Sequence, residues 1–196
     1  MDVVLVDAGG TNIGSVRYAL QRLGVEADMS TDAARIRAAS HVILPGVGAA
    51  AEGMRRLREH GLDAVVRALT QPVLGVCLGM QLLFEHSAEG DTTCLGLLPG
   101  CVEKLQGSAS LRVPHMGWNR LRIEHEDPLL DGISDGEHAY FVHGYAAPVT
   151  ASTLATSEHG TRFAAVVRKN NFCGMQCHPE RSGALGARLL KNFLTL

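Results

Sequence analysis

The sequence lacks any apolar run long enough to cross a membrane, because its longest apolar stretch, around Val73–Phe84, is well short of a span. It also lacks a strong charge of either sign: 18 lysines and arginines stand against 20 aspartates and glutamates, a formal net charge of −2. This balance gives no reason to expect nucleic acid as a partner. The start at Met1 lacks the basic region of a secretory signal peptide, so we expect a cytoplasmic protein.

Paired cysteines are missing as well. The cysteines number five, and no two of them have the CxxC spacing of zinc and redox sites. We therefore expect neither a disulfide framework nor a zinc site. A metal site at Cys173, Cys177 and His178 is the weakest alternative. Repeats, low-complexity segments and linkers are absent too, which predicts one domain over residues 1–196.

The first half of the chain alternates short apolar segments with amphipathic ones. Short apolar segments predict strands at Val3–Val6, His41–Leu44 and Val73–Val76, and Val25–Met29 is a further strand candidate. Apolar residues at helical spacing predict helices between these strands, and we expect a further helix to follow the last strand through Phe84. This βαβαβαβα order, up to residue 86, predicts an α/β fold with a doubly wound, mostly parallel sheet.

The second half contains short strand candidates separated by Gly, Pro, Asp and Asn, several of them joined by hairpin-length links. We expect these strands to be antiparallel and to extend the parallel sheet within the same domain. A final helix is predicted from about Gly183 to Leu194. The strand candidates are Cys101–Leu105, Leu121–Glu124, Tyr140–Val142, Ser152–Thr156, Phe163–Val167 and Phe172–Gln176.

Two glycine-containing turns follow predicted strands. Asp7–Asn12 connects the first strand to a helix, but Gly9, Gly10 and Gly14 do not form GxGxxG, so a tight turn is favoured over a phosphate site. Pro45–Gly48 follows a strand at the edge where open α/β sheets place their ligands. An ordinary βα turn is the alternative interpretation there.

Cys77 lies where a predicted buried strand meets a helix. Gly75 and Gly79 flank it two residues away on each side, the glycine placement of a nucleophile elbow with sulfur in place of oxygen. Such a turn leaves no room for neighbouring side chains. The following helix would direct its N–H groups toward the sulfur and favour a thiolate. A buried structural cysteine is an equally good interpretation of this stretch alone.

A nucleophilic cysteine needs a base, and the base needs an orienting partner. His178 directly follows a predicted strand, and Pro179 disfavours helical backbone at that position. An extended chain places the side chains of His178 and Glu180 on one face, where the carboxylate can orient the imidazole. Alone, this pattern fits a strand-terminal histidine and a solvated glutamate at least as well.

Together these segments resemble the class I, triad-type glutamine amidotransferases, and the resemblance covers essentially the whole chain. Within the family, the chain is most similar to the glutaminase subunits of imidazole glycerol phosphate synthases. The segments that carry the resemblance are the elbow around Cys77, Gln81, His178–Glu180, Pro45–Gly48, Pro114–Asn119, Tyr140–His143 and Gly186–Leu194.

The resemblance implies a glutaminase that uses neither a metal nor a cofactor. Cys77 would be the nucleophile, His178 the base and Glu180 its orienting carboxylate. The backbone of Leu78 and the Gly46–Val47 peptide would stabilise the oxyanion. The implied substrate contacts are Gly79, Gln81, His143, Gly144 and Tyr145.

The resemblance also implies a heterodimer with a (β/α)₈-barrel cyclase that activates the glutaminase and receives its ammonia. The products would be imidazole glycerol phosphate and an aminoimidazole carboxamide ribonucleotide, in histidine biosynthesis. Asn12, Trp118 and Arg181 are the expected interface residues, with core packing as the alternative for Trp118. A glutaminase that supplies a different synthase, and a non-catalytic docking subunit, are the alternative functions.

Overall fold

Fourteen strands and six α-helices are present in residues 1–7, 13–109 and 111–196, the part of the chain described by a computed structural model. In chain order the strands are β1 (Val3–Val6), β2 (Ala27–Ser30), β3 (His41–Gly46), β4 (Val73–Cys77), β5 (Phe84–Ser87), β6 (Thr92–Thr93), β7 (Leu98–Lys104), β8 (His115–Arg120), β9 (Arg122–Ile123), β10 (His138–His143), β11 (Tyr145–Ala146), β12 (Thr153–His159), β13 (Thr161–Lys169) and β14 (Phe172–Met175). The helices are α1 (Ile13–Arg22), α2 (Ala33–Ala38), α3 (Ala50–Glu59), α4 (Leu62–Arg67), α5 (Leu78–Leu82) and α6 (Gly183–Phe193).

Eight of these strands form one sheet in the order β2-β1-β3-β4-β14-β13-β12-β9. The strands from β2 to β14 pair in parallel, and β13, β12 and β9 continue the sheet with antiparallel pairing. The predicted α/β fold, a largely parallel sheet extended by antiparallel strands, is confirmed. One feature was not predicted: β14, from the second half, pairs in parallel with β4 at the centre of the sheet.

The two faces of this sheet carry separate apolar clusters. Val3 and Leu5 face one cluster with α1 and α6, whereas Val4 and Val6 face the other with α2 to α5. Residues that alternate along one strand are therefore buried on both sides, as a doubly wound sheet requires. The predicted last helix is confirmed as α6, which buries Leu185, Leu189, Leu190 and Phe193. Within the described ranges, every helix is too short or too polar to cross a bilayer.

The helix expected after Cys77 is two residues shorter than predicted. It ends at Leu82, and Phe84–Ser87 is instead the strand β5, which pairs with β6 and β7 in a second, four-stranded sheet. All residues from Val73 to Phe84 are buried. Hydrophobic periodicity cannot distinguish a helix from a strand in such a run, which explains the error.

The strand β3 is longer than predicted, since Pro45 and Gly46 continue it beside Val76 and Cys77 of β4. The pairing between β1 and β3 ends at Ile43 of β3, so Pro45 has a neighbouring strand, β4, on one side only. A proline is tolerated at such a position because its missing N–H costs no hydrogen bond to a second neighbour. The expected turn therefore begins later, after Gly46.

Candidate active site

Cys77 adopts a backbone conformation that few residues other than glycine adopt, with φ 53° and ψ −110° between β4 and α5. A Cβ atom added at Gly79 would lie 1.8 Å from the carbonyl oxygen of Leu44. One added at Gly75 would lie 2.6 Å from the carbonyl oxygen of Gly79. Both glycines are thus required by close backbone packing, which holds the elbow in its strained shape.

His178 comes close to Cys77 because β14 lies beside β4 in parallel: Cys77 ends β4, and His178 follows the end of β14 at the same sheet edge. His178 Nδ1 lies 2.9 Å from Glu180 Oε1, and the two side chains are 9% and 3% exposed. The backbone around His178 is fixed as well, since its N–H donates to Tyr140 O at 2.9 Å and its carbonyl accepts from Ser182 Oγ at 2.7 Å. The carboxylate therefore holds the imidazole in one orientation.

The protonation of His178 is set by its two partners. Burial alone would lower the pKa of His178, but hydrogen bonds to Cys77 and Glu180 outweigh burial and raise this pKa above its ordinary value. A proton on Nδ1 is held by the Glu180 carboxylate. Nε2 is then the ring nitrogen that can exchange a proton with the Cys77 sulfur.

A cavity of about 410 Å³ opens in front of Cys77. Such a volume suits a small molecule. Gly46 and Gly79 are not among its described lining residues. The predicted site residues that do line it are Val47, Cys77, Leu78, Gln81, His143, Gly144, Tyr145, His178 and Arg181.

The predicted oxyanion residues lie next to one another at the elbow. Gly46 pairs with Cys77 across the sheet, and a Cβ atom at Gly46 would lie 2.8 Å from the backbone nitrogen of Gly79 and 2.9 Å from Leu78 Cβ. The Gly46–Val47 peptide is therefore packed against the first turn of α5. Gly79, which is also predicted to contact substrate, packs closely against the Leu44 carbonyl.

A pair of buried glutamines lies behind the cysteine. Gln81 Nε2 donates to Tyr145 O and to Gln176 Oε1, both at 2.9 Å, and Gln176 Nε2 donates to Cys77 Sγ at 3.7 Å. Gln176 is fully buried. Sequence reasoning assigned Gln176 only to a strand end. The sequence feature that could have indicated a role for Gln176 is its place as an uncharged polar residue at the end of an apolar strand, two positions before His178.

A row of hydrogen-bonded neutral side chains also donates to the Tyr145 carbonyl. His143 Nδ1 donates to Tyr145 O at 2.8 Å, so its Nε2 accepts from His115 Nδ1 at 3.0 Å, and His115 Nε2 accepts from Asn119 at 3.2 Å. Burial lowers the pKa of His115 to about 4 and that of His143 to about 3. Both rings are therefore neutral at pH 7.

A family model described as glutamine amidotransferase class-I matches residues 4–196. The chain belongs to the class-I glutamine amidotransferase family. The resemblance inferred from the elbow, Gln81 and His178–Glu180 is thereby confirmed.

Curated relatives of this amidotransferase carry a more specific name. A protein of Xanthomonas oryzae pv. oryzae, "Imidazole glycerol phosphate synthase subunit HisH", is 60% identical over 195 residues, which are 100% of this chain and 98% of the relative. A protein of Xylella fastidiosa with the same name is 55% identical over the same shares of both chains.

Solved structures share the amidotransferase fold at low identity. A glutamine amidotransferase crystal structure superposes with a TM-score of 0.76 at 23% identity, covering 100% of this chain and 98% of the other. A chain from PurLQS of Thermotoga maritima gives 0.73 at 22% identity, covering 99% and 97%. These two likenesses concern the fold alone.

The amidotransferase cavity is bordered by an exposed apolar face on the two-stranded sheet of β8 and β10. Met116 is 66% exposed and Trp118 57% exposed, which makes the core-packing interpretation of Trp118 wrong. The Trp118 ring meets that of Tyr140 edge-on at 5.7 Å, and the Arg181 guanidinium lies 4.3 Å from the Tyr140 ring centre. Asn12, the third predicted interface residue, lies outside the described residues.

Cys77 is the one cysteine among the described lining residues of the cavity. Burial raises the pKa of both Cys173 and Cys177 to about 12, so these thiols stay protonated at neutral pH. In the part of the chain that the structure describes, no cluster of three His, Cys, Asp or Glu residues is arranged to hold a metal ion.

Proposed function

We propose that this amidotransferase is the glutaminase subunit of an imidazole glycerol phosphate synthase, hydrolysing glutamine to glutamate and ammonia. The observation that carries the proposal is the meeting of Cys77 and His178 at one cavity, with Glu180 hydrogen-bonded to the far ring nitrogen of His178. The name of the relatives that are 55% and 60% identical over the full chain supports the choice of synthase.

In the proposed first half-reaction, Cys77 attacks the side-chain carboxamide carbon of glutamine. A sulfur–carbon bond forms, the carbon–nitrogen bond breaks, and His178 gives the proton taken from the thiol to the departing ammonia. Glu180 keeps Nδ1 protonated, so that Nε2 faces the reacting atoms throughout. An imidazolium beside the sulfur favours the thiolate, the reactive form of cysteine.

In the second half-reaction, water attacks the glutamyl thioester. His178 takes a proton from that water and returns it to the sulfur as the thioester bond breaks, which releases glutamate and restores the thiol. The single histidine thus acts first as a base and then as an acid in each half-reaction.

Both half-reactions develop negative charge on the former amide oxygen. We propose that the Leu78 N–H and the Gly46–Val47 peptide supply the hydrogen bonds that stabilise it. Each donor of this kind typically contributes about 10²–10³ in rate. A peptide at Gly46–Val47 that turned away from the cavity would therefore keep the enzyme nearly inactive until the partner binds.

The proposed glutamine contacts lie in the cavity wall or next to it. His143, Gly144 and Tyr145 would offer backbone groups to the amino and carboxylate ends of glutamine. Gln81 would offer its amide oxygen from the cavity wall, because its nitrogen already donates to Tyr145 and Gln176. Gly79 would contribute through its backbone at the start of α5.

The released ammonia has to avoid becoming ammonium, which is no nucleophile. We propose that a (β/α)₈-barrel cyclase docks on the apolar face of Met116, Trp118 and Tyr140, with Arg181 at its margin, and receives the ammonia directly. Large exposed apolar side chains beside a cavity are typical of a protein interface. The cyclase would then form imidazole glycerol phosphate and an aminoimidazole carboxamide ribonucleotide.

The substitution Cys77→Ala tests this proposal. In the complex with the cyclase it should abolish synthesis from glutamine while synthesis from added ammonia survives. Cys101→Ala removes another free thiol, outside the cavity, and should leave both activities intact. Glutaminase activity retained in the Cys77 variant would overturn the mechanism.

A further inference from the structure

The Cys77 sulfur has two neighbours of opposite hydrogen-bonding character besides His178. The carbonyl oxygen of Val142, at 3.9 Å, can only accept, whereas Gln176 Nε2, at 3.7 Å, can only donate. A thiol can donate to Val142, but a thiolate can only accept and is repelled by that carbonyl. The Gln176 amide therefore distinguishes between the two protonation states of the sulfur.

The orientation of the Gln176 amide is fixed by the residues behind it. Tyr145 O can only accept, so the nitrogen of the Gln81 amide has to face it. The second hydrogen on that nitrogen points to Gln176, which must present its oxygen. The nitrogen of Gln176 is then left facing the sulfur. A flipped Gln176 would place two donors against each other at Gln81 and an oxygen against the sulfur.

Water cannot take the place of the Gln176 amide at the sulfur, because Gln176 is fully buried and Gln81 is 4% exposed. The helix after Cys77 stabilises a thiolate less than the sequence suggested. The reason is that α5 has five residues, and a strong helix-dipole effect requires a longer helix. The thiolate thus depends on discrete donors more than on the helix end.

We propose that Gln176 is a positioning residue whose amide donates a hydrogen bond to Cys77 Sγ, which favours the thiolate and holds it toward the cavity. This inference rests on the proposed function, in which Cys77 is the nucleophile. The hydrogen bond from Gln81 fixes the orientation of the Gln176 amide. Gln81 is itself oriented by the Tyr145 carbonyl, which also accepts a hydrogen bond from His143.

The test is the pH dependence of Cys77 alkylation by iodoacetamide in the full chain, followed by mass spectrometry of the Cys77 peptide. Gln176→Met keeps the length of the side chain and removes the donor. We expect the alkylation midpoint of Cys77 to rise by roughly one pH unit, because a hydrogen bond to the charged form is lost. The Cys101 peptide, from a half-buried thiol away from the cavity, is the internal control and should keep its profile.

Gln81→Met provides a second variant, since it leaves Gln176 in place but no longer fixes its amide. Its midpoint should rise by less than that of Gln176→Met. If Gln176→Met shows no cooperative thermal transition and is therefore unfolded, the alkylation midpoint of Cys77 in Gln81→Met tests the proposal instead. An unchanged Cys77 midpoint in the folded variants would overturn the proposal.

Steady-state kinetics separate this inference from the proposed function. In the complex with the cyclase, Gln176→Met should lower kcat for glutamine about tenfold at pH 7 with little change in KM, and leave ammonia-dependent synthesis intact. If Cys77→Ala abolishes glutamine use while Gln176→Met changes neither kcat nor the alkylation midpoint, the inference alone fails. If Gln176→Met shifts the midpoint but Cys77→Ala still uses glutamine, the proposed function fails and the hydrogen bond stands.

Discussion

At the scale of single residues, the glycines of the elbow show how much a local sequence pattern can predict. Gly75 and Gly79 flank Cys77 in the sequence, and the structure packs both against backbone atoms with no space for a Cβ. The triad candidates Cys77, His178 and Glu180 were also predictable, since each stands in a recognisable pattern. Gln176 was not, because its partner atoms belong to residues 95 and 99 positions away.

Gly79→Ala should destabilise the fold by about 3 kcal/mol or more, because its Cβ would lie 1.8 Å from Leu44 O, a backbone atom that cannot move freely. Gly14→Ala is the matched control. It adds a methyl group inside α1 at an ordinary distance of 3.8 Å from Tyr18, and should be neutral or stabilise by up to about 1 kcal/mol. Urea unfolding of both variants measures the difference. Equal stabilities would contradict the close packing inferred at the elbow.

The buried histidines should make stability depend on pH in a defined direction. The pKa of His115 is lowered to about 4 and that of His143 to about 3, so the unfolded chain, with ordinary histidine values near 6.5, binds protons first. Their contribution is fully present above about pH 6.5 and is lost as pH falls toward 4. His178 acts in the opposite direction, since its raised pKa favours the folded state below about pH 6.5, and that contribution is lost as pH rises through the folded value.

His115→Phe tests this sign. The phenyl ring can keep the stacking against Phe141, but the hydrogen bonds to His143 and Asn119 are lost. Between pH 6 and pH 4.5 the slope of unfolding free energy against pH should become shallower by up to about 1.4 kcal/mol per unit. Chemical denaturation at several pH values gives that slope. The same slope in both proteins would show that His115 does not titrate as a buried neutral group.

At the scale of secondary-structure elements, strand prediction succeeded where apolar runs were bounded by turn residues, as at Val3–Val6 and Phe172–Met175. It failed at β5, where an entirely buried stretch gives no periodicity, and at β8, where Gly117 and the polar residues of His115–Arg120 leave no continuous apolar run. The pairing of β8 with β10 places the side chains of Trp118 and Tyr140 on one face. No local pattern could have shown that this face is exposed.

Trp118→Ala should weaken binding of the cyclase tenfold or more, since large exposed aromatic residues at an interface commonly contribute over about 1 kcal/mol. The thermal transition of the isolated chain should hardly change, because the ring is 57% exposed and leaves no buried cavity. Val149→Ala, 45% exposed and outside the β8–β10 face, is the control. Titration calorimetry of both variants decides, and equal affinities would remove Trp118 from the docking surface.

At the scale of the whole molecule, the site exists because the two halves of the chain share one sheet. β4 brings Cys77 from the first half, and β14 brings His178 from the second half to the same edge. We propose that residues 1–196 form one domain, since both apolar clusters draw on strands from each half. The sequence identified both motifs, but the parallel pairing that joins them depends on contacts about 100 positions apart.

The most direct test of the central claim is the release of glutamate from glutamine, measured for the isolated chain and again with a (β/α)₈-barrel cyclase and its nucleotide ligand. We predict a low rate alone and a rate about 10²–10³ higher in the liganded complex, the gain expected from one completed oxyanion donor. The gain should be absent in Cys77→Ala. An equal rate with and without the cyclase, or stimulation only by a different synthase, would contradict the account.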